Sequence, residues 1–239
     1  MELSVGKTRA ILIFMLFICI AVITAVFSGG ANIGQDVSAT PLNYRPRYEI
    51  SWAHPLNYGE RYNRDIYGRP VSNQPLIVLH ETVYSASSAL HHFQTPHSNE
   101  QEQASYHTLI ELDGTVVYVV PPEKRAFGAA NSVFNGPNGP ETVKTHAKFP
   151  PSVNNFAYHV SLETPSDGRN PNRRHSGYTD AQYQSLAWLI AQSKVPDSRI
   201  TTHKAVDRSG NRIDPRSFER RKFLRLLHFY RLRKAEAKN

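Results

Sequence analysis

Residues 75–82, Pro75-Leu76-Ile77-Val78-Leu79-His80-Glu81-Thr82, constrain this chain more tightly than any other stretch. Four consecutive apolar residues between a proline and a polar end read as a short buried strand. That strand delivers His80 at its exit. Far downstream a β-branched run, Ile200-Thr201-Thr202, ends directly in His203, and a polar, glycine-containing loop then leads to Asp214-Pro215. A loop of this composition can fold back so that His203 and Asp214 point at one spot. Two imidazoles and a carboxylate are first-row metal ligands, and a catalytic zinc site takes three protein ligands with one position left open. The fold has to bring two strand ends and one loop together. No HExxH-like helical pair confirms the site independently, and each histidine on its own reads equally as a surface or core residue.

Strand and helix signals surround these two runs. Ser85 to Gln94 reads as a helix with Ser85 as N-cap and Leu90 and Phe93 on its buried side. Tyr106–Leu112 and Thr115–Val120 flank Asp113-Gly114, a tight-turn pair, and read as a hairpin. In Tyr158–Thr164, strand alternation puts Tyr158, Val160 and Leu162 on one face and His159, Ser161 and Glu163 on the other. A glutamate at the end of a buried strand is expensive unless it is paired or functional. Thr179 to Lys194 is the clearest helix. Thr179 and Gln182 form a capping box, and Tyr183, Leu186, Ala187 and Ile190 recur at helical spacing. From Arg216 to Asn239 nine Lys/Arg stand against two Glu. This reads as a helix with one side on the domain and the other basic, suited to lipid head groups or wall polymer or equally to a solvated charged face, and fraying after about Arg233. The expected fold class is α/β: a central mixed β-sheet flanked by helices, with a zinc cleft at the strand ends, over residues 74–230. A linker and irregular arm (residues 32–73), with a short edge strand near Tyr48–Trp52, precede it, and a basic tail (231–239) follows.

The N-terminus bears on the compartment. Lys7 and Arg9 precede Ala10–Phe27, eighteen residues without a charge. A secretory apolar region runs about 7–15 residues, and a membrane span about 17–25. Residues 1–31 are therefore a signal anchor or signal peptide. The anchor is favoured, although Ser28-Gly29-Gly30-Ala31 leaves cleavage open. The basic flank stays in the cytoplasm, so the domain is expected on the periplasmic or extracellular face, held at the membrane. The single cysteine, Cys19, lies in the apolar run, so the folded part has neither a disulfide nor a thiolate ligand. A net charge of +8 favours anionic polymers as partners. Nucleic acid is excluded for want of a zinc-finger, RNP-like or glycine-rich phosphate motif. A monomer is expected.

The motif order is strand-His80, then Ser105-Tyr106-His107 with the Asp113-Gly114 turn, then a strand ending in Glu163, then His203 and Arg212-x-Asp214-Pro215. Over about residues 74–220 it resembles the zinc-dependent N-acetylmuramoyl-L-alanine amidases. The likeness is to the type 2 amidase domain shared with phage lysozyme-type amidases and peptidoglycan recognition proteins. The resemblance implies Zn²⁺ on His80, His203 and Asp214, and Glu163 as the catalytic glutamate exchanging protons with water and leaving amine. It implies Tyr106 close to the metal, polarising the scissile carbonyl. Arg212 stands where hydrolytic members often carry a lysine; it keeps the positive charge that steers the oxyanion, with a different reach. Thr82, His107 and His159 are expected as substrate contacts. The bond cut would join N-acetylmuramic acid to L-alanine of the stem peptide, making peptidoglycan or muropeptides the partner. Two departures stand out. Ala126-Phe127-Gly128-Ala129-Ala130-Asn131 lacks the usual histidine and tryptophan, and His159 and Ser161 replace small apolar residues. A non-catalytic muropeptide-recognition module is the competing reading, set back by the presence of all three ligand types. A glycosidase would need two carboxylates flanking one bond, and only Glu163 and Asp214 suggest themselves.

Overall fold

The computed structural model describes residues 44–237. The apolar segment 10–27 lies outside the described residues; among those described, no helix is long and apolar enough to cross a membrane.

A mixed α/β arrangement is built on one six-stranded sheet. Its strands are β1 (Tyr48–Ile50), β2 (Leu76–Glu81), β3 (Thr108–Ile110), β4 (Val116–Tyr118), β5 (Ala157–Leu162) and β6 (Ile200–Thr202). They lie in the order β1-β4-β3-β5-β2-β6. Every neighbouring pair is parallel except the β3–β4 hairpin. Gly114 in its turn is required twice over. Its φ of +87° suits glycine, and a Cβ there would lie 2.8 Å from the Ala181 carbonyl oxygen.

All six residues of β2 are buried, which is why its sequence runs apolar without alternating: both faces are covered. In the β2–β5 register Leu79 pairs with Val160 and His80 with Ser161. Parallel partners point the same way, so the two strands share faces. Ile77, Leu79, Val160 and Leu162 enter the larger core with Tyr183, Leu186 and Ile190 of α2 (Asp180–Ala191) and Phe223 and Leu227 of α4 (Arg220–Glu236). Burying each such large side chain stabilises the fold by about 1.5–3 kcal/mol. The opposite face, which carries His80, His159 and Ser161, is covered by residues 129–156 and by α1 (Ala86–Gln94).

The cap chemistry read from the sequence is present. Ser85 accepts from Ser88 N, and Thr179 and Gln182 form the full capping box. The C-terminal helix differs. It continues to Glu236, past both the expected fraying point and the 230/231 boundary. Its basic residues hold it there: Arg231 donates to the Val195 carbonyl and pairs with Asp197, and Lys234 donates to the Ala191 and Gln192 carbonyls at the end of α2. Cations at a helix C-terminus are favourable, so part of the expected lipid-facing charge is spent internally.

The arm before β2 is irregular but bound to the domain. Tyr48–Ile50 forms the edge strand beside β4. Asn57 donates to the Phe93 and Thr95 carbonyls, and Arg61 to the Asn155 and Ala157 carbonyls.

Candidate metal centre

β2 and β6 are parallel neighbours, with Thr202 opposite Leu79. Their C-terminal ends therefore lie side by side, and the next residue on each is a histidine. His203 opens the single-turn helix α3 (His203–Val206), whose N-cap Thr202 accepts from Ala205 N. The following loop is organised by Asp207, whose carboxylate accepts from the backbone N–H groups of Ser209, Asn211 and Arg212. Lys204 N donates to the Asp214 carbonyl at 3.0 Å. The loop is thereby closed on itself, and Asp214 is returned to the two imidazoles.

The three side chains meet through one atom each. His80 Nδ1 lies 3.1 Å from His203 Nδ1 and 3.4 Å from Asp214 Oδ2. His203 Nδ1 to Asp214 Oδ2 is 3.1 Å. A tetrahedral centre with ligand bonds of about 2.0–2.1 Å has donor–donor edges of about 3.3 Å, so these three spacings fit one face of such a tetrahedron. Two imidazoles and a carboxylate suit zinc. All three residues are buried. Burial pushes the His80 imidazole down to about 4, although the Asp214 carboxylate pulls the other way, so its ring is neutral and free to ligate. Burial alone would raise the Asp214 carboxyl; hydrogen bonds from His203 and His80 hold it well below the usual carboxylate range instead.

A cavity of about 430 Å³ opens beside the cluster, lined in part by Thr82, Tyr106, Gly128, His203 and Arg212. Tyr106 stacks on His80 with ring centroids 4.4 Å apart. Burial, and then the Asp214 charge, push its phenol up, so it stays an O–H donor. Arg212 brings the positive charge of this wall. The fold thus gathers His80, His203, Asp214, Tyr106, Arg212 and Thr82 around one cleft.

Three expected residues stand elsewhere. Glu163 does not reach the cluster: Oε1 accepts from Ala86 N (3.1 Å) and Arg169 Nη2 (3.2 Å), and Oε2 from Leu112 N (3.1 Å). It binds the N-terminal turn of α1, where orphan N–H groups and the helix dipole favour a carboxylate, and it does not line the cleft. His107 and His159 do not line it either. His107 Nδ1 accepts from His159 N, and its Nε2 faces the Lys124 carbonyl and Arg61. His159 Nδ1 lies 2.9 Å from His80 Nε2. Both rings are fully buried in the packed face beneath the cleft. Burial also holds His159 well below the usual imidazole range, reinforced by His80 and His107.

One group went unnoticed in the sequence. Glu81, directly after His80, is buried and bound by Arg216 Nε, by His175 Nε2 at 3.1 Å and by the Tyr178 hydroxyl at 2.6 Å. Arg216 donates further to the Gly168, Asn170 and Asn172 carbonyls. The signal was present: a carboxylate ending an apolar strand needs a partner, and an arginine two residues past Asp214 supplies it.

The sequence profile described as N-acetylmuramoyl-L-alanine amidase matches residues 69–217, more than half of the 239 residues. The chain belongs to this amidase family. It hydrolyses the bond between N-acetylmuramic acid and the L-alanine of the peptidoglycan stem peptide. Among solved structures, a selenomethionine derivative of AmpD is similar, with a TM-score of 0.50 and 24% identity, covering 76% of this chain and 94% of AmpD. That likeness shows the shared fold. Citrobacter freundii AmpD (TM-score 0.44, 22% identity, 76% and 90% covered) and the amidase LysC of Clostridium intestinale (0.39, 20%, 69% and 87%) also match. No curated protein matches the chain.

Proposed function

We propose that this amidase is a zinc enzyme whose metal is held by His80 Nδ1, His203 Nδ1 and Asp214 Oδ2, leaving the fourth position to the cleft. The donor–donor spacings of 3.1, 3.1 and 3.4 Å carry this reading. When bound, zinc supplies Lewis acidity and a water activated at neutral pH. Residues of the chain then stabilise the charge that develops. The Tyr106 hydroxyl donates toward the oxygen that becomes negative as the lactyl carbonyl is attacked, and the Arg212 guanidinium adds positive charge beside it. Preorganised donors in a partly dry site are worth more than the same groups in water. His80, kept neutral by burial, keeps its lone pair for the cation.

Glu163 is not part of this scheme. Apart from the candidate ligand Asp214, the carboxylate at the cleft among the described residues is Glu102, which is exposed and paired with His97. Glu163→Gln is expected to leave stem-peptide release within about tenfold of wild type while lowering stability by about 1–3 kcal/mol, through weakened bonds to Ala86 N, Leu112 N and Arg169. Digestion of purified peptidoglycan and thermal unfolding read the two effects; a thousandfold loss of release at unchanged stability returns Glu163 to the chemistry.

The apolar segment 10–27 and the charge of +8 support action outside the cytoplasm, with the enzyme held at the membrane as a monomer. A non-catalytic recognition module is disfavoured because no ligand type is missing. The deciding experiment measures metal content and peptidoglycan digestion together. One zinc per chain is expected, with stem peptides released until a chelator is added and again once zinc is restored. Release that survives complete removal of metal refutes the zinc assignment.

A further inference from the structure

We propose that His159 is a positioning residue of the metal site: its Nδ1 accepts the Nε2–H of His80 and thereby sets the tautomer and ring plane that turn His80 Nδ1 toward the cation. This rests on the zinc assignment above. A neutral imidazole carries one N–H. The cluster distances place His80 Nδ1 among the ligand atoms, so when that nitrogen gives its lone pair away, the hydrogen sits on Nε2. The atom facing Nε2 is His159 Nδ1, at 2.9 Å. In the opposite tautomer His80 Nδ1 would carry the hydrogen and could not ligate. His159 therefore selects between a binding and a non-binding form of its neighbour. Metal-bound histidines are ordinarily held this way, by a carboxylate, carbonyl or water; here another imidazole takes the role.

The surroundings of His159 are arranged for that one bond. The β2–β5 register puts His159 opposite Val78, on the same sheet face as His80. Its ring is stacked nearly parallel to His107, with centroids 5.8 Å apart and planes 11° apart. Its backbone N–H donates to His107 Nδ1 at 3.0 Å. Room for the ring comes from Gly128, where a Cβ would sit 2.6 Å from His159 Cγ and Nδ1. The other ring nitrogen, Nε2, is buried without a partner among the described residues. A buried polar atom is seldom left so, and the ring is satisfied only on the side that faces His80.

The test compares two substitutions in the full chain. His159→Leu keeps the bulk and removes the acceptor, whereas His159→Asn keeps an acceptor oxygen close to the place of Nδ1. Zinc affinity is read by competition with a chelating dye, alongside the unfolding temperature of the metal-free protein. The leucine variant is expected to bind zinc 10- to 100-fold more weakly, the asparagine variant within about threefold of wild type. The metal-free unfolding temperature should not follow that order. If the leucine variant does not fold, His159→Ala takes its place and is expected to lose affinity equally. Leucine binding zinc as tightly as wild type, or asparagine losing as much as leucine, overturns the proposal. Wild type taking up no zinc overturns the zinc assignment and this proposal with it, an outcome distinct from both.

Discussion

His203→Ala and Asp214→Ala are expected to abolish stem-peptide release, by about a thousandfold or more, and to leave the purified protein without stoichiometric zinc. A bound metal is worth several kcal/mol of charge stabilisation in the transition state, and each 1.36 kcal/mol is tenfold in rate. Each alanine takes one edge atom from a three-atom face whose members lie 3.1–3.4 Å apart. The two variants should differ in the metal-free state. Losing Asp214 leaves His80 and His203 facing each other without the carboxylate that compensates them, whereas losing His203 leaves one buried imidazole–carboxylate pair. Metal analysis, digestion of peptidoglycan and thermal unfolding on the same preparations separate these effects. Wild-type release rates from either variant would remove the cluster from the chemistry.

Arg216→Ala is expected to cost about 3–5 kcal/mol of stability, since it strands a buried carboxylate. Glu81 would keep His175 and Tyr178 but lose the guanidinium, and the Gly168, Asn170 and Asn172 carbonyls would lose their donor. At roughly 2–4 °C per kcal/mol for a domain of this size, the unfolding midpoint falls by about 10 °C. The pair also ties the residue after one ligand to a residue two beyond another. Zinc affinity should therefore drop even at temperatures where the variant remains folded. A double variant, Glu81→Leu with Arg216→Met, is expected to recover much of the stability, because no lone charge remains. A midpoint unmoved in the single variant would show that the ion pair contributes nothing.

The parts of this site that were legible in the sequence are those fixed by local pattern. An apolar run ending in His80, a β-branched run ending in His203 and a polar loop ending in Asp214 each declare themselves within about ten residues. The order of strands beside the turn at Gly114 was enough to point to the family. Glu163 shows where this stops. Alternation gives the face of a side chain but not its destination; besides the nearby Arg169, its partners are the start of α1 and Leu112, up to 77 residues away in sequence. His159 was visible as a departure from small apolar residues, yet its role depends on the β2–β5 register. The Glu81–Arg216 pair spans 135 residues and appears only when both strand and loop are in place. The C-terminal helix shows the same limit: Arg231 and Lys234 find their acceptors, the Asp197 carboxylate and the Val195, Ala191 and Gln192 carbonyls, 34–43 residues upstream.

The arm that precedes β2 separates two kinds of boundary. The family match begins at residue 69, but Tyr48–Ile50 closes one edge of the sheet and Asn57 and Arg61 occupy carbonyls on the body of the domain. A chain started at residue 69 would bare the hydrogen-bonding edge of β4, an invitation to pair with other molecules. What the family profile spans is therefore shorter than what folds: the sheet is completed by a segment upstream of the matched residues, and excision of this enzyme from its N-terminal sequence has to be made upstream of Tyr44.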